Sequence, residues 1–278
     1  MIAMDTNQKF NKIISRRFSK NKISLQTDFV AVESPLEISL SILNGDSENV
    51  SILMRTPGDD EKLIYGFLLS EGLLSKKQLK EGKFSILENK IDLKLSENEF
   101  PDLSEMKRNF ISNSSCGICG KETINEILKK IPKRKDSIEN YIAGMVVEKI
   151  CSNMRTKQDL FLKTGGVHAV GLFNKKGEII CIGEDVGRHN AMDKVIGEAL
   201  VIEDLSGDVI GACLSGRASY EMVQKAAMVG LEILICIGAP TSLAIDLAVA
   251  CSITLVGFVS NKGYNIYTCE KRILSTVN

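Results

Sequence analysis

The 278-residue chain reads as an α/β protein in which a small, β-hairpin-rich N-terminal α+β region precedes a three-layer core with a mainly parallel sheet. Three observations carry this reading. Apolar residues alternate strictly at Leu36, Ile38, Leu40 and Ile42, and the turn Asn44-Gly45-Asp46 follows, which marks paired strands early in the chain. Beyond Leu160, short apolar runs alternate with helical patterns, as in a sheet covered by helices. A hydrophobic content of 44% is enough to bury a core without staples.

In chain order, residues 1–27 are polar, charged and without clear period, so they are read as an N-terminal arm of uncertain order. Residues 28–112 form the α+β region. Its first hairpin spans 36–55, Pro57-Gly58-Asp59-Asp60 opens a helix with Leu63, Ile64, Phe67 and Leu68 on its apolar face, and 84–95 turns at Glu88-Asn89-Lys90 into a second hairpin. Residues 113–140 hold a cysteine pair in a loop, then a helix with Ile124, Ile127, Leu128 and Ile131 on one side. The α/β core is 141–278: a helix over 141–154, a hairpin of strands 168–173 and 178–183, then strands 209–214, 233–237 and 254–259 separated by helices.

Formal net charge is zero and the pI is near 6.8, so no global field draws the chain to nucleic acid or anionic lipid. No segment reaches the roughly 18 apolar residues of a membrane span, and the chain is read as cytoplasmic. Of eight cysteines, Cys151, Cys181, Cys213, Cys236, Cys251 and Cys269 stand singly, mostly in apolar runs, where they act as small hydrophobes. Cys116 and Cys119 differ: Ser115-Cys116-Gly117-Ile118-Cys119-Gly120-Lys121 sets two thiols three positions apart between glycines. Such a pair can ligate a metal, close a small disulfide, or present one nucleophilic thiolate beside its neighbour.

Ligands of sheets of this class bind beyond the carboxyl ends of the strands, and the unusual residues of this chain gather at those exits. They are Gly165 and Gly166 ahead of His168, Arg188 and His189 after Glu184-Asp185-Val186-Gly187, Ser215-Gly216-Arg217, and Thr241-Ser242. Glycine lets backbone approach a ligand, helix starts offer free N–H groups to phosphate, and arginine adds bidentate contacts. Asp185 and Asp193 are placed to orient the His189 imidazole or to cap its helix.

Taken together these motifs, with Thr164-Gly165-Gly166-Val167-His168-Ala169, 184–194, Leu214-Ser215-Gly216-Arg217, 239–244 and Leu255-Val256-Gly257-Phe258, resemble the FdhD family of formate dehydrogenase accessory sulfurtransferases, over about 34–267. The resemblance implies a sulfur carrier that takes persulfide sulfur from a cysteine desulfurase. It passes that sulfur to the molybdenum or tungsten bis(molybdopterin guanine dinucleotide) cofactor, as substrate, for the formate dehydrogenase catalytic subunit. It implies a cytidine-deaminase-like core, a homodimer, and GDP-like nucleotides as ligand analogues. Cys116 then matches the persulfide-bearing cysteine and Cys119 its companion. Phe258, Val259, Ser260, Asn261, Lys262 and Gly263 fall where the family binds the cofactor, although the arginine that commonly follows Gly-Phe is missing and Lys262 is the only cation there. Zinc deaminase chemistry is not expected, because His168 lacks a following glutamate and the only CxxC lies upstream of it. The alternative is a zinc- or guanine-nucleotide-binding module without sulfur transfer.

Overall fold

The computed structural model describes residues 8–42, 45, 47–101, 128–132, 141–205 and 207–274. Cys116 and Cys119, with most of the expected loop and helix of 113–140, lie outside the described residues.

The N-terminal arm is an ordered hairpin. β1 (Phe10–Ser19) and β2 (Lys22–Ala31) pair antiparallel from Phe10↔Ala31 to Ser19↔Lys22. Lys20 and Asn21 both take positive φ, 49° and 58°, which gives a two-residue turn the twist of its strands. The base is tied down. Phe10 and Phe29 meet edge to face at 5.7 Å, Lys163 Nζ lies 3.6 Å from the Phe10 ring centre, and Lys9 pairs with Asp59 at 2.6 Å.

Both expected hairpins of the α+β region are present, as β3 (Ser34–Ile42) with β4 (Ser47–Arg55) and β5 (Lys83–Leu87) with β6 (Lys90–Leu95). Parallel pairing of β3 with β6 joins them into one sheet, ordered β4-β3-β6-β5. Leu36, Ile38, Leu40, Ile91, Leu93 and Leu95 form its buried face, packed on Leu63, Ile64, Phe67 and Leu68 of α1 (Asp60–Ser70). The short helix α2 (Lys76–Glu81) starts with a capping box, in which Ser75 Oγ accepts from Gln78 N–H while the Gln78 side chain accepts from Ser75 N–H.

The larger sheet comprises β8 (His168–Phe173), β9 (Ile179–Asp185), β10 (Gly211–Leu214), β11 (Ile233–Cys236), β12 (Thr254–Ser260) and β13 (Gly263–Thr268), ordered β13-β12-β11-β10-β8-β9. A two-residue β7 (Ile142–Ala143) pairs apart from it with β14 (Ile273–Leu274). The larger sheet is mixed, which corrects the expectation of a mainly parallel one. Only β10–β11 and β11–β12 are parallel pairs, while β8 and β13 run against the other strands. The reason is connection length: the turns between β8 and β9 and between β12 and β13 are too short for the crossover that parallel neighbours require.

Helices cover both faces, as the alternation predicts. α3 (Gly144–Thr156) packs Val147, Ile150 and Met154 on one side of the sheet. α5 (Arg188–Ile196), α6 (Tyr220–Met228) and α7 (Ser242–Ala250) cover the other. One further short helix, α4 (Asp159–Thr164), precedes β8.

A buried polar seam joins the two regions. α1 and α5 cross so closely that a Cβ on Gly66 would sit 1.7 Å from the Asp193 carbonyl oxygen, and one on Gly197 1.9 Å from that of Lys62. Only glycine permits that approach. Beside the crossing, fully buried Asp185 pairs with Lys194 at 2.8 Å and accepts from the Thr56 N–H at 3.1 Å, and Lys194 donates to the carbonyls of Thr56 and Glu184. Asn190 Nδ2 bridges Asp185 and the Met54 carbonyl. Farther along, Lys225 reaches Asp193 at 3.0 Å, Glu71 at 2.6 Å and Ser70 Oγ at 2.9 Å. Burial works against the Lys225 charge, but Asp193 and Glu71 outweigh it and hold its pKa above the usual lysine range.

Candidate functional site at the end of the larger sheet

Strand direction decides what meets at the sheet end. The last residues of β9, β10, β11 and β12 and the first of β8 and β13 all arrive there, so His168 stands opposite Asp185 in register and beside the turn that follows Leu214. Beyond the strands, backbone pairing continues through the turns. Gly238 N–H donates to Gly216 O, Thr241 N–H to Ala218 O, and Phe258 N–H to Gly238 O. These bonds set the turns 215–218, 237–241 and 257–258 side by side.

Each sequence candidate then has a definite place. Ser215 is fastened to β8, its Oγ accepting from Ala169 N–H at 2.9 Å and its own N–H donating to Ala169 O at 2.9 Å. The imidazole of His168 lies beside Gly216, where a Cβ would stand in ordinary contact at 3.4 Å from Nδ1. The stem of Arg217 crosses Gly238, and its exposed guanidinium has no carboxylate partner among the described residues. His168, Arg188 and His189 converge. Burial lowers the His168 pKa, and the charges of Arg188 and His189 lower it further, so His168 is a neutral imidazole near pH 7.

Glu221, on the first turn of α6, is the residue that sequence reasoning missed. Its Oε2 lies 2.6 Å from His189 Nε2 and 3.7 Å from Arg188 Nη2. The His189 contact holds the Glu221 carboxyl below the ordinary glutamate range, with Arg188 acting in the same direction. No local pattern links positions 189 and 221; only the packing of α5 beside α6 brings them together. Asp185 and Asp193, by contrast, do not orient His189: both belong to the seam.

Two helix starts at this end have no N-cap side-chain bond among the described residues. Gly187 and Ser219, the N-caps of α5 and α6, give their helices no side-chain cap, whereas Thr241 spends its hydroxyl on Ala244 N–H in α7. Ser219 Oγ is buried without a partner among the described residues. Gly165, with φ of 65°, ends α4, whose first N–H groups, Leu160 and Phe161, both donate to the Glu184 carboxylate at 2.8 Å. That bidentate cap ties the start of α4 to the end of β9.

In the last segment, Phe258 holds a φ of 56° and leaves its ring half exposed, while Val259 turns into the core. Ser260, Asn261 and Lys262 are exposed, and Ser260 Oγ, which accepts from Lys262 N–H and donates to Gly263 O, shapes their turn. Ser242 is exposed at the start of α7. Cys151, Cys213, Cys236 and Cys251 are buried, as expected of small hydrophobes. Burial pushes the thiols of Cys181 and Cys236 up to about 12, which keeps them protonated.

Known proteins resemble this chain along nearly its whole length. The model of the FdhD/NarQ family matches residues 31–274. A sulfur carrier protein FdhD from Saccharolobus solfataricus is 41% identical over 250 residues, covering 89% of this chain and 91% of that protein. The one from Picrophilus torridus is 42% identical over 252 residues, covering 89% and 93%. That from Streptomyces coelicolor is 37% identical over 270 residues, covering 92% and 93%. The crystal structure of a protein assigned as a formate dehydrogenase accessory protein, from Desulfotalea psychrophila, has the same fold: its TM-score is 0.73 at 22% identity, over 96% of this chain and 100% of that one. On the family match and these identities, the chain belongs to the FdhD/NarQ family.

Proposed function

We propose that the protein is a sulfur carrier that serves formate dehydrogenase, taking sulfur on Cys116 and delivering it at the end of the larger sheet. The observation that carries this reading is the coincidence of family and geometry. A chain of the FdhD/NarQ family gathers His168, Arg188, His189 and Arg217 at one sheet end, where two helix starts lack side-chain caps. Such a site suits a phosphate-rich ligand, because N–H groups at helix starts and guanidinium forks both favour anions.

In the proposed sequence, the Cys116 thiolate attacks the terminal sulfur of a persulfide on a cysteine desulfurase. A new S–S bond forms to Cys116, the donor's S–S bond breaks, and the donor cysteine leaves as a thiolate. Cys119 shields or relays the carried sulfur. The recipient is the molybdenum or tungsten bis(molybdopterin guanine dinucleotide) cofactor, bound as substrate before it enters the formate dehydrogenase catalytic subunit. Arg188, Arg217 and the starts of α5 and α6 hold its phosphates, neutral His168 offers a hydrogen bond without adding charge, and Phe258, Ser260, Asn261 and Lys262 flank the nucleotide. The scaffold is read as a cytidine-deaminase-like core without deaminase chemistry, working in the cytoplasm as a homodimer.

Mass spectrometry after anaerobic incubation with desulfurase and cysteine tests the carrier step. Wild type should gain one labile sulfur, and Cys116→Ser none. Gain on Cys116→Ser but not on Cys119→Ser would exchange the two roles, and no gain on wild type would end the reading. Stoichiometric zinc lost on mutating either cysteine would favour a binding module instead.

A further inference from the structure

Arg217 and the pair Arg188 and His189 stand at the same sheet end in different electrostatic states. The Arg217 guanidinium is exposed and has no carboxylate partner among the described residues. Arg188 and His189, the first two residues of α5, already face an anion. Glu221, in the first turn of α6, reaches across to them, its Oε2 standing 2.6 Å from His189 Nε2 and 3.7 Å from Arg188 Nη2. Because α5 has neither an acidic residue in its own first turn nor a side-chain cap, the carboxylate beside its positive end comes from α6.

A ligand can displace this contact. His189 Nε2 is covered, yet it has no aligned hydrogen bond among the described residues, so the 2.6 Å approach of Glu221 is a charge contact made off the line of the ring N–H. The side chains of Arg188, His189 and Glu221 are 39%, 32% and 50% exposed, which is the regime of weak ion pairs. A phosphate sets several oxygens against both cations and an uncapped helix start, and it reaches Nε2 only after the carboxylate has moved. Were Glu221 to stay, it would oppose the incoming charge at close range.

We propose that Glu221 is a resident counter-ion that a phosphate of the ligand has to displace from His189 and Arg188, and that it thereby limits the affinity of the sheet-end site. The inference rests on the reading of this sheet end as a phosphate site and adds to it a residue that acts against binding. The free site is spared two unpaired cations, and a departing phosphate leaves them to an anion ready to take its place. A site that must hand its ligand on to another protein gains from such a brake.

Calorimetric titration of the full-length protein with GDP tests the brake. Glu221→Gln and Glu221→Ala should each bind GDP about threefold to tenfold more tightly than wild type, the range set by a partly exposed ion pair together with the repulsion it removes. The gain should shrink as salt rises from about 50 to about 500 mM. It should also largely disappear in a His189→Gln background, where the closest contact of Glu221 is gone. Equal or weaker binding by both variants, with wild-type binding intact, overturns the proposal; weaker binding would mean that Glu221 positions His189 for the ligand. A gain that persists undiminished in the His189→Gln background overturns it too, because the effect would then be one of general charge. Absence of GDP binding in wild type and variants alike would strike the phosphate-site reading itself, and this proposal with it.

Discussion

Two polar clusters of this molecule are drawn from the same stretch, 184–194, and they have opposite characters. In the seam, Asp185, Asn190, Asp193 and Lys194 are buried and partnered by charges or backbone from the small region. At the sheet end, Arg188 and His189 are partly exposed and share one carboxylate, Glu221. One turn of helix separates a structural clamp from the proposed ligand surface. A dense run of charged residues therefore announces importance without saying which kind, and burial decides between them.

The contrast predicts unequal responses to mutation. Lys225→Ala strands Asp193 and Glu71 inside the seam and should cost about 3–5 kcal/mol in urea unfolding. A loss below 1 kcal/mol, on the order of an exposed pair, would erase the distinction. Gly66→Ala forces α1 and α5 apart and should lose about 1–3 kcal/mol, with Gly66→Ser no better. At the sheet end the pattern reverses. Arg217→Ala should leave the melting temperature unchanged yet weaken GDP binding about tenfold or more in calorimetry, and equal affinity would remove Arg217 from the site.

The smallest effect is one of pH. Because His189 lowers the Glu221 carboxyl, the pair contributes stability that is fully present above the ordinary glutamate pKa and is lost as pH falls through the lowered one. The melting-temperature gap between wild type and Glu221→Gln should therefore be small at neutral pH and close as pH falls through and below the ordinary glutamate range. A gap independent of pH would mean that the contact is packing alone.

Much of this arrangement is legible in the sequence wherever one face is buried and the other is not. Leu36-Ile38-Leu40 and Ile91-Leu93-Leu95 keep strict alternation because one side meets α1. The strand exits are legible because glycine and helix starts cluster there. The hairpin 10–31 was not, since Lys12 and Arg16 interrupt its apolar side, most of which stays exposed among the described residues. The β8–β9 hairpin was legible, whereas the antiparallel pairing of β8 with β10 and of β13 with β12 escaped the alternation, which carries no strand order. Glu221 carried no readable signal, for its partner His189 lies 32 residues away in sequence, and the capping role of Glu184, which stood in the exit motif, was hidden by the 24 residues to Leu160.

The seam also has a consequence for how the chain is made. Thr56 waits for Asp185, 129 residues later, and Ser70 for Lys225, 155 residues later. A ribosome adding roughly 5–20 residues per second leaves the small region without its buried partners for roughly six to thirty seconds. During that interval the crossing face of α1, with Gly66 at its centre, stands open to solvent. Contacts this distant in sequence also slow the final docking step. Nascent chains stalled near residue 200 should accordingly bind chaperones, and chains extended well past residue 225 should release them.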